Sequence, residues 1–564
     1  MSGSETHRRE APAARPGRSH GRIGAGDQNH GGRDVAPPGI HATILRFRMT
    51  VNLHKFDIPG HAITGVITAL ALFAALIIAN RPWLTMDYVP YSDQAADILL
   101  VERSGLLLTG HSMGFGQIAG AMHPGPFFLY FRLLGQWLAG PLTGSVFGAH
   151  LVGVLLCSAI FAGLLAALLY DLARREGAAS WTAVAGVVVA LVLALAQFSA
   201  HGTLSDIWMP YVIVLPFLVF LVAAMLTMQG SSFGLLALTI TTAALVHGYV
   251  LMLPIAGPVW LISAALGWRA HDGETRCGFP VPILAGTAGI IAVFMAPLLL
   301  DMAINPPGNL IRILETAVLL HNDDQTPSLH AIASILHGQW AMVQTGLWLA
   351  AAAGVTICLT TRRYGALLAT GFIAGATVTA MTVLSFAASP SELGVWSAYY
   401  FVAVALLPIV MGGLLTTMEL GRYWKKIPAF AAIAAIGLFS VKGTLAHPYR
   451  NHFEIREMSR LITAEFPPGS GVEIELAKIE RPAAEKSLRG DVFGLEPVAG
   501  LLVDLDHFHI HACYRDPTFG WYLTPERVCS PIAPAKIAVY RLEFIPRATT
   551  QAHRWELQRI ADPG

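Results

Sequence analysis

The sequence carries little charge for its length. Of its 564 residues, 13% are charged and 54% are hydrophobic, and the formal net charge is +1. Soluble globular domains carry about twice that charged fraction, so the composition excludes an ordinary soluble protein. A near-neutral chain lacks the basic surface that nucleic-acid binding requires, so no nucleic-acid partner is expected. No Walker motif or dinucleotide fingerprint indicates ATP- or NAD-driven chemistry.

Long apolar runs are abundant instead. Runs of about 20 apolar residues are typical of transmembrane helices. The sequence therefore predicts a mainly α fold, a polytopic membrane helical bundle of about 11 spans with extracytoplasmic surface helices and a small C-terminal soluble α/β domain. The predicted spans are 61–80, 145–172, 179–199, 208–228, 233–250, 252–268, 281–300, 340–361, 365–388, 396–418 and 427–445.

The amino-terminal segment, 1–48, differs from the rest in composition. It is rich in Gly, Pro, His and Arg and has no apolar periodicity, which predicts a disordered basic segment. A start of translation at Met49 is the alternative. No apolar core of a signal peptide precedes residue 60. The membrane domain is predicted at 49–445.

Basic residues predict which loops are cytoplasmic, because short cytoplasmic loops collect Lys and Arg. With eleven spans and a cytoplasmic amino terminus, all the basic loops fall on the cytoplasmic side, so the chain is expected to be a multi-pass protein of the inner membrane. The basic positions are Arg46, Arg48 and Lys55, then Arg174 and Arg175, Arg269, Arg276, Arg362 and Arg363, Arg422, and Lys425 and Lys426.

The stretch HPGPFF, residues 123–128, interrupts an apolar segment at its start. Residues 124–141 are apolar enough to suggest a twelfth span, but the two prolines and Arg132 argue against it. A span here would also move Arg174 and Arg175 outside. We therefore expect 81–144 to be one large outer loop whose helices lie along the membrane surface.

The same parity places 446–564 outside, in the periplasm. The stretches GVEIELAKI and KIAVYRLEF alternate in polarity and predict strands, and LVDLDHFHIHA is a further strand candidate. Cys513 and Cys529 can pair in an oxidising compartment, and two free thiols are the alternative. Alternate histidines in HFHIH can form a metal site on one face of a strand, or simply an exposed polar face.

Acidic residues gather on the predicted outer side. Asp93 and Asp97 are spaced i, i+4 and so share a helical face. Such a pair can bind a cation, or one member can act as a general base toward a hydroxyl. A solvated face of a surface helix is the alternative. Further polar residues on this side are Asp87, Glu102, Arg103, His111, His123, His201, Asp206, Asp301, Asn305, Asn309, Arg312, His321, Asp323 and Asp324.

The order of these elements resembles the GT-C class of membrane glycosyltransferases. YSDQAADILLVERSGLLLTG follows the first span, HPGPFFLYF precedes the second, and HGTLSD follows the third. Protein mannosyltransferases and bacterial lipid A aminoarabinose transferases share this layout, and bacterial members with Tyr-Ser-Asp, His-Pro-Gly-Pro and a later Pro-Gly-Asn resemble it more closely. The resemblance covers 61 to about 330; Gln94 replaces a usual acid, and only one acid stands in HGTLSD.

The resemblance implies a donor sugar carried on a polyprenyl phosphate and an acceptor in the envelope, which is a glycan, a lipid or a protein. It implies Asp93 as the general base, with Asp206 as the second acidic site. The departing lipid phosphate then needs donors or cations. A divalent cation is left open, since no cofactor is certain. The substrate-binding candidates are Asp97, Arg103, His123, Arg132, His201, Asp301 and Asn309, with Arg312 as a further cation.

Each motif also has a structural alternative. His123 can cap a helix started by Pro124, Asp206 can cap the fourth span, and Asp301 can hold PPGN as a turn. At the level of function, a transporter or lipid flippase would place ionisable groups within several spans. An inactive GT-C-like scaffold that binds glycans is the third hypothesis.

Overall fold

A computed structural model defines the fold over most of the chain beyond residue 58. The described residues are 59–102, 106–111, 121–270, 278–320, 343–361, 364–387, 402–423, 445–476, 495–515, 527–529, 538–545 and 554–561, with isolated positions between 333 and 341. The predicted segment 1–48 and the predicted span 427–445 therefore lie outside the described residues, apart from Leu445.

Helices dominate the described residues. The longer ones are continuous apolar segments, as the hydrophobic runs predict. Their bounds are α1 Gly60–Thr85, α2 Asp93–Glu102, α3 Phe127–Ala139, α4 Val146–Arg175, α5 Ser180–His201, α6 Met209–Val212, α7 Val214–Met228, α8 Ser232–Gly248, α9 Leu253–Ala270, α10 Val281–Ile304, α11 Asn309–Leu320, α12 Trp348–Thr360, α13 Tyr364–Ala387, α14 Val402–Tyr423, α15 Phe453–Glu465 and α16 Leu495–His507.

Each of the first ten predicted spans coincides with a helix. Seven segments of the described chain are long and apolar enough to cross a membrane. They are Gly60–Thr85, Val146–Arg175, Ser180–Ser199, Met209–Met228, Val250–Ala270, Val281–Ile304 and Val402–Gly421. Shorter apolar helices cover three further predicted spans at Ser232–Gly248, Thr345–Thr360 and Ala369–Ala380. The protein is thus a multi-pass helical bundle, as the sequence predicts.

Helix α3 is too short to be a twelfth span. Its 13 residues extend about 20 Å at 1.5 Å per residue, against a hydrocarbon core of about 30 Å. Its exposed face is apolar, with Leu133, Leu134, Trp137 and Leu138 all exposed, while Arg132 on its other side is buried. This is the amphipathic pattern of a helix lying along a membrane surface.

Loops distant in sequence meet at one end of the bundle. The loop before α2 hydrogen-bonds the segment just before α15, where Asn451 Oδ1 accepts from the Val89 N–H. The Arg132 guanidinium of α3 donates a hydrogen bond to the Ile207 carbonyl in the α5–α6 loop. At the far end of α4, Asp171 accepts a hydrogen bond from Ser231, 3.0 Å away. The predicted outer loops therefore share one end, opposite the basic pair that ends α4.

The C-terminal residues build a four-stranded sheet of order β2-β1-β3-β4. β1 pairs in parallel with β2 and β3, and β3 pairs antiparallel with β4. The strands predicted from GVEIELAKI and KIAVYRLEF are confirmed as β1 and β3. The strand bounds are β1 Gly471–Leu476, β2 His511–Tyr514, β3 Ala538–Ile545 and β4 Arg554–Ala561.

The strand predicted over LVDLDHFHIHA is wrong. α16 runs through His507, His509 has a left-handed backbone with φ of 58°, and only His511 lies in β2. The apolar positions of LLVDLD suit a buried helical face, which the short alternation of HFHIH obscured. The three histidines consequently do not line one strand face. Cys513 and Cys529 form a disulfide bond, so they are not the two free thiols of the alternative.

Candidate functional site

Trp208 connects the first loop to the loop between α5 and α6. Its indole Nε1 donates a hydrogen bond to Asp93 Oδ2 at 2.9 Å, and its backbone N–H donates to Asp206 Oδ1 at 2.8 Å. Asp93 begins α2 immediately after Ser92, a non-glycine residue with φ of 54°. The two acids predicted as catalytic are thus joined through one residue, Trp208, whose indole bonds Asp93 and whose backbone N–H bonds Asp206.

Asp97 lies one turn further along α2 and is buried. Its Oδ2 is 2.7 Å from Arg132 Nη2, and that guanidinium also donates to the Ile207 carbonyl. Burial raises the pKa of Asp97 to about 6, against the lowering effect of Arg132 and with a further contribution from Asp93. The alternative that Asp97 lies on a solvated helix face is therefore wrong. Its ion pair with Arg132 instead links α2 to α3 and, through Arg132, to the α5–α6 loop.

Asp206 is buried in the α5–α6 loop. Burial raises its pKa to about 7, while the Trp208 backbone N–H and Arg132 act in the opposite direction. It does not cap the following helix, whose N-cap is Trp208 without a side-chain cap. The bond to the N–H two residues ahead is an Asx turn instead.

The HPGP element packs against α8 and the start of the next membrane segment. His123 is buried, and its Nδ1 accepts a hydrogen bond from the Val250 N–H at 3.2 Å. Burial lowers the pKa of His123 to about 3, so the ring is neutral. Because α3 begins only at Phe127, the reading of His123 as a cap for a helix starting at Pro124 is wrong.

Gly125 lets the backbone of the HPGP element approach α8 closely. Its N–H donates to the His247 carbonyl at 3.2 Å. A Cβ at this position would lie 2.0 Å from His247 Nδ1, which is far inside contact distance. Glycine is therefore needed here for a close approach of the backbone to α8.

Asp301 and Asn309 fold the PPGN turn and attach it to the first loop. Asp301 accepts hydrogen bonds from the Asn309 N–H at 2.6 Å and from Asn305 Nδ2 at 3.0 Å. Asn309 in turn bonds both backbone polar groups of Met122, at 2.8 and 2.9 Å. These contacts match the turn alternative for Asp301 and give Asn309 a positioning role beside His123.

Two predicted residues cannot be placed. Arg103 lies outside the described residues, and the backbone of His201 ends α5 while its side chain is not described. Within the described residues, no group of three or more His, Cys, Asp or Glu could hold a metal ion.

Sequence reasoning missed Trp208, His447 and Tyr449. Tyr449 donates to the Ser205 carbonyl and accepts from the Ile207 N–H at 2.9 Å, and Trp83 and Phe147 pack edge-on against its ring. No local signal marks these residues, because an aromatic near a loop acid is common.

Fold and site together define a multi-pass helical membrane protein with a buried polar cluster at one end of its bundle. Its arrangement is similar to that of ArnT from Cupriavidus metallidurans bound to undecaprenyl phosphate, at 14% identity and a TM-score of 0.48, over 86% of this chain and 93% of that one. It is also similar to the Archaeoglobus fulgidus oligosaccharyltransferase in complex with Zn and sulfate, at 12% identity and a TM-score of 0.36, over 85% and 68% of the two chains.

A third similar structure is the oligosaccharyltransferase AglB from Archaeoglobus fulgidus in complex with an inhibitory peptide and a dolichol-phosphate. It is 12% identical with a TM-score of 0.36, over 86% of this chain and 69% of that chain. No protein-family model matches the sequence, and no curated protein matches it.

Proposed function

We propose that the protein is an integral-membrane glycosyltransferase. In this proposal it moves a sugar from a polyprenyl-phosphate donor to an envelope glycan, lipid or protein at the outer face of the inner membrane. The observation that carries the proposal is the half-buried Asp93 carboxylate, fixed by the Trp208 indole at the edge of the buried Asp97–Arg132 pair. The order of the sequence motifs supplies the class of donor.

Asp93 is the proposed general base. The acceptor hydroxyl attacks the anomeric carbon, its proton passes to the Asp93 carboxylate, and the bond from the sugar to the phosphate oxygen breaks. The polyprenyl phosphate leaves with the electron pair of that bond. The hydrogen bond from Trp208 orients the carboxylate before the reaction, which is the contribution expected of a fixed base.

Two of the candidate groups for the leaving phosphate are already bonded within the protein. Arg132 is 1% exposed and bonded to Asp97 and Ile207, and His123 is buried, neutral and bonded to Val250. We therefore propose them as positioning residues rather than phosphate contacts. The remaining proposed contacts for the phosphate are Arg103, His201 and Arg312.

A transporter or flippase is less consistent with the placement of charge. Within the described spans, every Asp, Glu, Lys and Arg lies within five residues of a helix end. Examples are Arg81, Asp171 and Glu419. A transport pathway is expected to carry ionisable groups at membrane depth. An apolar interior with a buried polar cluster at one end instead suits an enzyme whose substrate approaches sideways from the lipid.

The test compares lipid-linked sugars and envelope glycans in a deletion strain and its parent. A transferase defect should remove one glycan modification and accumulate its lipid-linked donor, and the full chain supplied on a plasmid should reverse both. An unchanged glycan profile together with an unchanged donor pool would contradict the proposal. Loss of glycan binding without a change in donor pool would favour the inactive scaffold.

A further inference from the structure

The loop that leads into α2 is contacted both by the membrane bundle and by the C-terminal part of the chain. Residues 87–92, which we call the docking loop, end at Asp93, the proposed base. On the bundle side, the ring of Tyr88 packs on that of Phe147 in α4, with centroids 4.0 Å apart. The Tyr88 hydroxyl donates a hydrogen bond to Gln94 Oε1 at 3.0 Å. The further contacts come from the start of α15 and from α16.

Two residues immediately before α15 hold the docking loop. Asn451 Oδ1 accepts a hydrogen bond from the Val89 N–H at 3.1 Å, and Val89 is buried. A buried backbone donor left without a partner would cost free energy, so this bond stabilises the loop where it lies. The ring of His452 stacks on that of Tyr91, with centroids 4.1 Å apart and planes at 11°. This stack fixes the docking loop two residues before Asp93.

Helix α16 approaches the docking loop at Gly500. A Cβ at this position would lie 2.7 Å from the Pro90 carbonyl oxygen, which is inside contact distance. Glycine within a helix is less favourable than alanine, so this close approach accounts for a glycine in the middle of α16. The same helix packs along α2. It therefore lies against both the docking loop and the helix that Asp93 begins.

Ser92 indicates that the docking loop needs such support. It is a non-glycine residue with φ of 54°, a left-handed conformation that is unfavourable for residues with a side chain. Such a conformation persists only where the surrounding structure determines it. Residues 87–92 form neither helix nor strand, so the support comes from the elements packed around them.

We infer that the start of α15 and α16 hold the docking loop in the conformation that presents Asp93, with His452 and Gly500 as positioning residues that act through this loop. Released from these contacts, the backbone would relax at Ser92, and the Asp93 carboxylate would lose its bond from the Trp208 indole. The C-terminal part of the chain thus belongs to the site. The role in catalysis rests on the proposed glycosyl transfer, whereas the docking does not.

Hydrogen exchange tests the docking without any substrate. The full-length protein in detergent is exchanged, and peptides from the docking loop, β1 and α7 are followed by mass spectrometry. His452→Ala removes the stack on Tyr91 but leaves Asn451, the hydrogen-bond acceptor of Val89, in place. The docking-loop peptide should nevertheless exchange about 2- to 10-fold faster than in the wild type, as expected for loss of one ring pair. Peptides from β1 and α7 should not change.

Gly500→Val is the steric counterpart, because its side chain would meet the Pro90 carbonyl. It should speed exchange of the docking loop about fivefold or more. The matched control is Gly471→Val in β1, where a Cβ would meet no atom within 4 Å, and its docking loop should exchange as in the wild type. Unchanged exchange of the docking loop in His452→Ala would overturn the inference, even if Gly500→Val unfolds the sheet and exposes β1.

The conservative variant His452→Phe separates the stack from the other contact of this histidine. It keeps a ring against Tyr91 and loses the pair with Glu454, in which His452 Nδ1 lies 3.3 Å from Glu454 Oε1. Its docking loop should therefore exchange as in the wild type. Exchange as fast as in His452→Ala would show that the stack is not what holds the loop, and would contradict the inference.

The catalytic part is measured as envelope glycan restored in the deletion strain at matched protein level. His452→Ala should lower restoration about 10- to 100-fold, the effect expected of a misplaced reacting group, and His452→Phe should restore the wild-type level. Wild-type restoration by His452→Ala together with faster exchange would contradict the positioning role. A deletion strain without a glycan defect would count against the glycosyltransferase alone, and the exchange result would still decide the docking.

Discussion

The indole N–H of Trp208 lies 2.9 Å from the carboxylate of Asp93, although the two residues are 115 positions apart. This bond joins the start of α2 to the α5–α6 loop and fixes the orientation of the Asp93 carboxylate. It also makes a direct prediction about the base, because Asp93→Asn keeps the shape of the side chain and removes the proton acceptor.

For Asp93→Asn, turnover should fall about 100- to 10,000-fold, the usual contribution of a general base. The measurement is restoration of envelope glycan in the deletion strain at matched protein level.

Trp208→Phe is the paired variant, since it keeps an aromatic ring and removes the N–H. It should lower turnover about tenfold. Asp97→Asn is no clean control, because it breaks the pair with Arg132. If Asp206→Asn abolishes transfer while Asp93→Asn is mild, the base lies in the second loop.

Asp206 should make stability depend on pH in a defined direction. Its folded pKa of about 7 lies above the ordinary value of 3.8, so the folded state holds the proton more tightly. The contribution to stability is full below about pH 4 and is lost as the pH rises through 7. Relative to Asp206→Asn, the wild type should therefore lose on the order of 4 kcal/mol across this range, measured by thermal unfolding in detergent.

His123 should show the opposite dependence. Its folded pKa of about 3 lies below the ordinary value of 6.5, so the unfolded state takes up the proton first. Stability is present above pH 6.5 and is lost as the pH falls toward 3. Relative to His123→Gln, the wild type should weaken on acidification, and thermal unfolding at several pH values would measure it. Parallel curves for both proteins would contradict burial of a neutral ring.

The two ion pairs of Arg456 should contribute differently to stability, because one carboxylate is buried and the other is exposed. Its guanidinium bonds Asp504, which is 2% exposed, and Asp87, which is 50% exposed. Arg456→Met leaves the buried carboxylate unpaired and should destabilise the protein by about 3–5 kcal/mol. Asp87→Asn should cost at most about 1 kcal/mol. Equal losses in thermal unfolding would show that the buried pair with Asp504 does not hold α15 against α16.

The disulfide between Cys513 and Cys529 closes a sequence separation of 16 residues. A loop of this size corresponds to about 3 kcal/mol of stabilisation. The double variant Cys513→Ser with Cys529→Ser should lose about this much free energy of unfolding and should therefore unfold at a lower temperature. Reductant should destabilise the wild type but not the double variant. A reductant effect of the same size in both proteins would attribute it to other cysteines.

Reporter fusions test the orientation. Fusions after residues 175, 275, 363 and 425 should report the cytoplasm, because basic loops are expected on that side, and fusions after 206, 320 and 550 should report the periplasm. A periplasmic reporter near 175 would mean that 124–141 crosses the bilayer. That result would separate HPGPFF from the predicted outer loop.

Sequence determined the elements that depend on local composition. The apolar runs predicted ten helical segments of the described chain, the proline pair and Arg132 predicted that α3 does not span, and alternation predicted β1 and β3. Each of these signals is contained in fewer than about 30 consecutive residues. It failed at LVDLDHFHIHA, because a helix ending in a left-handed turn at His509 carries the same alternating letters as a strand.

Tertiary structure alone decided the contacts of the site. Asp97 and Arg132 are both visible in the sequence, but their pairing at 2.7 Å depends on α2 and α3 packing at one end of the bundle. Trp208 and His447 gave no local signal, because the residues that they contact, Asp93 and Asp206, lie more than 100 positions away in the sequence. Burial, which sets the pKa of Asp206 and of His123, likewise arises from packing of several helices, and no short stretch of sequence encodes it.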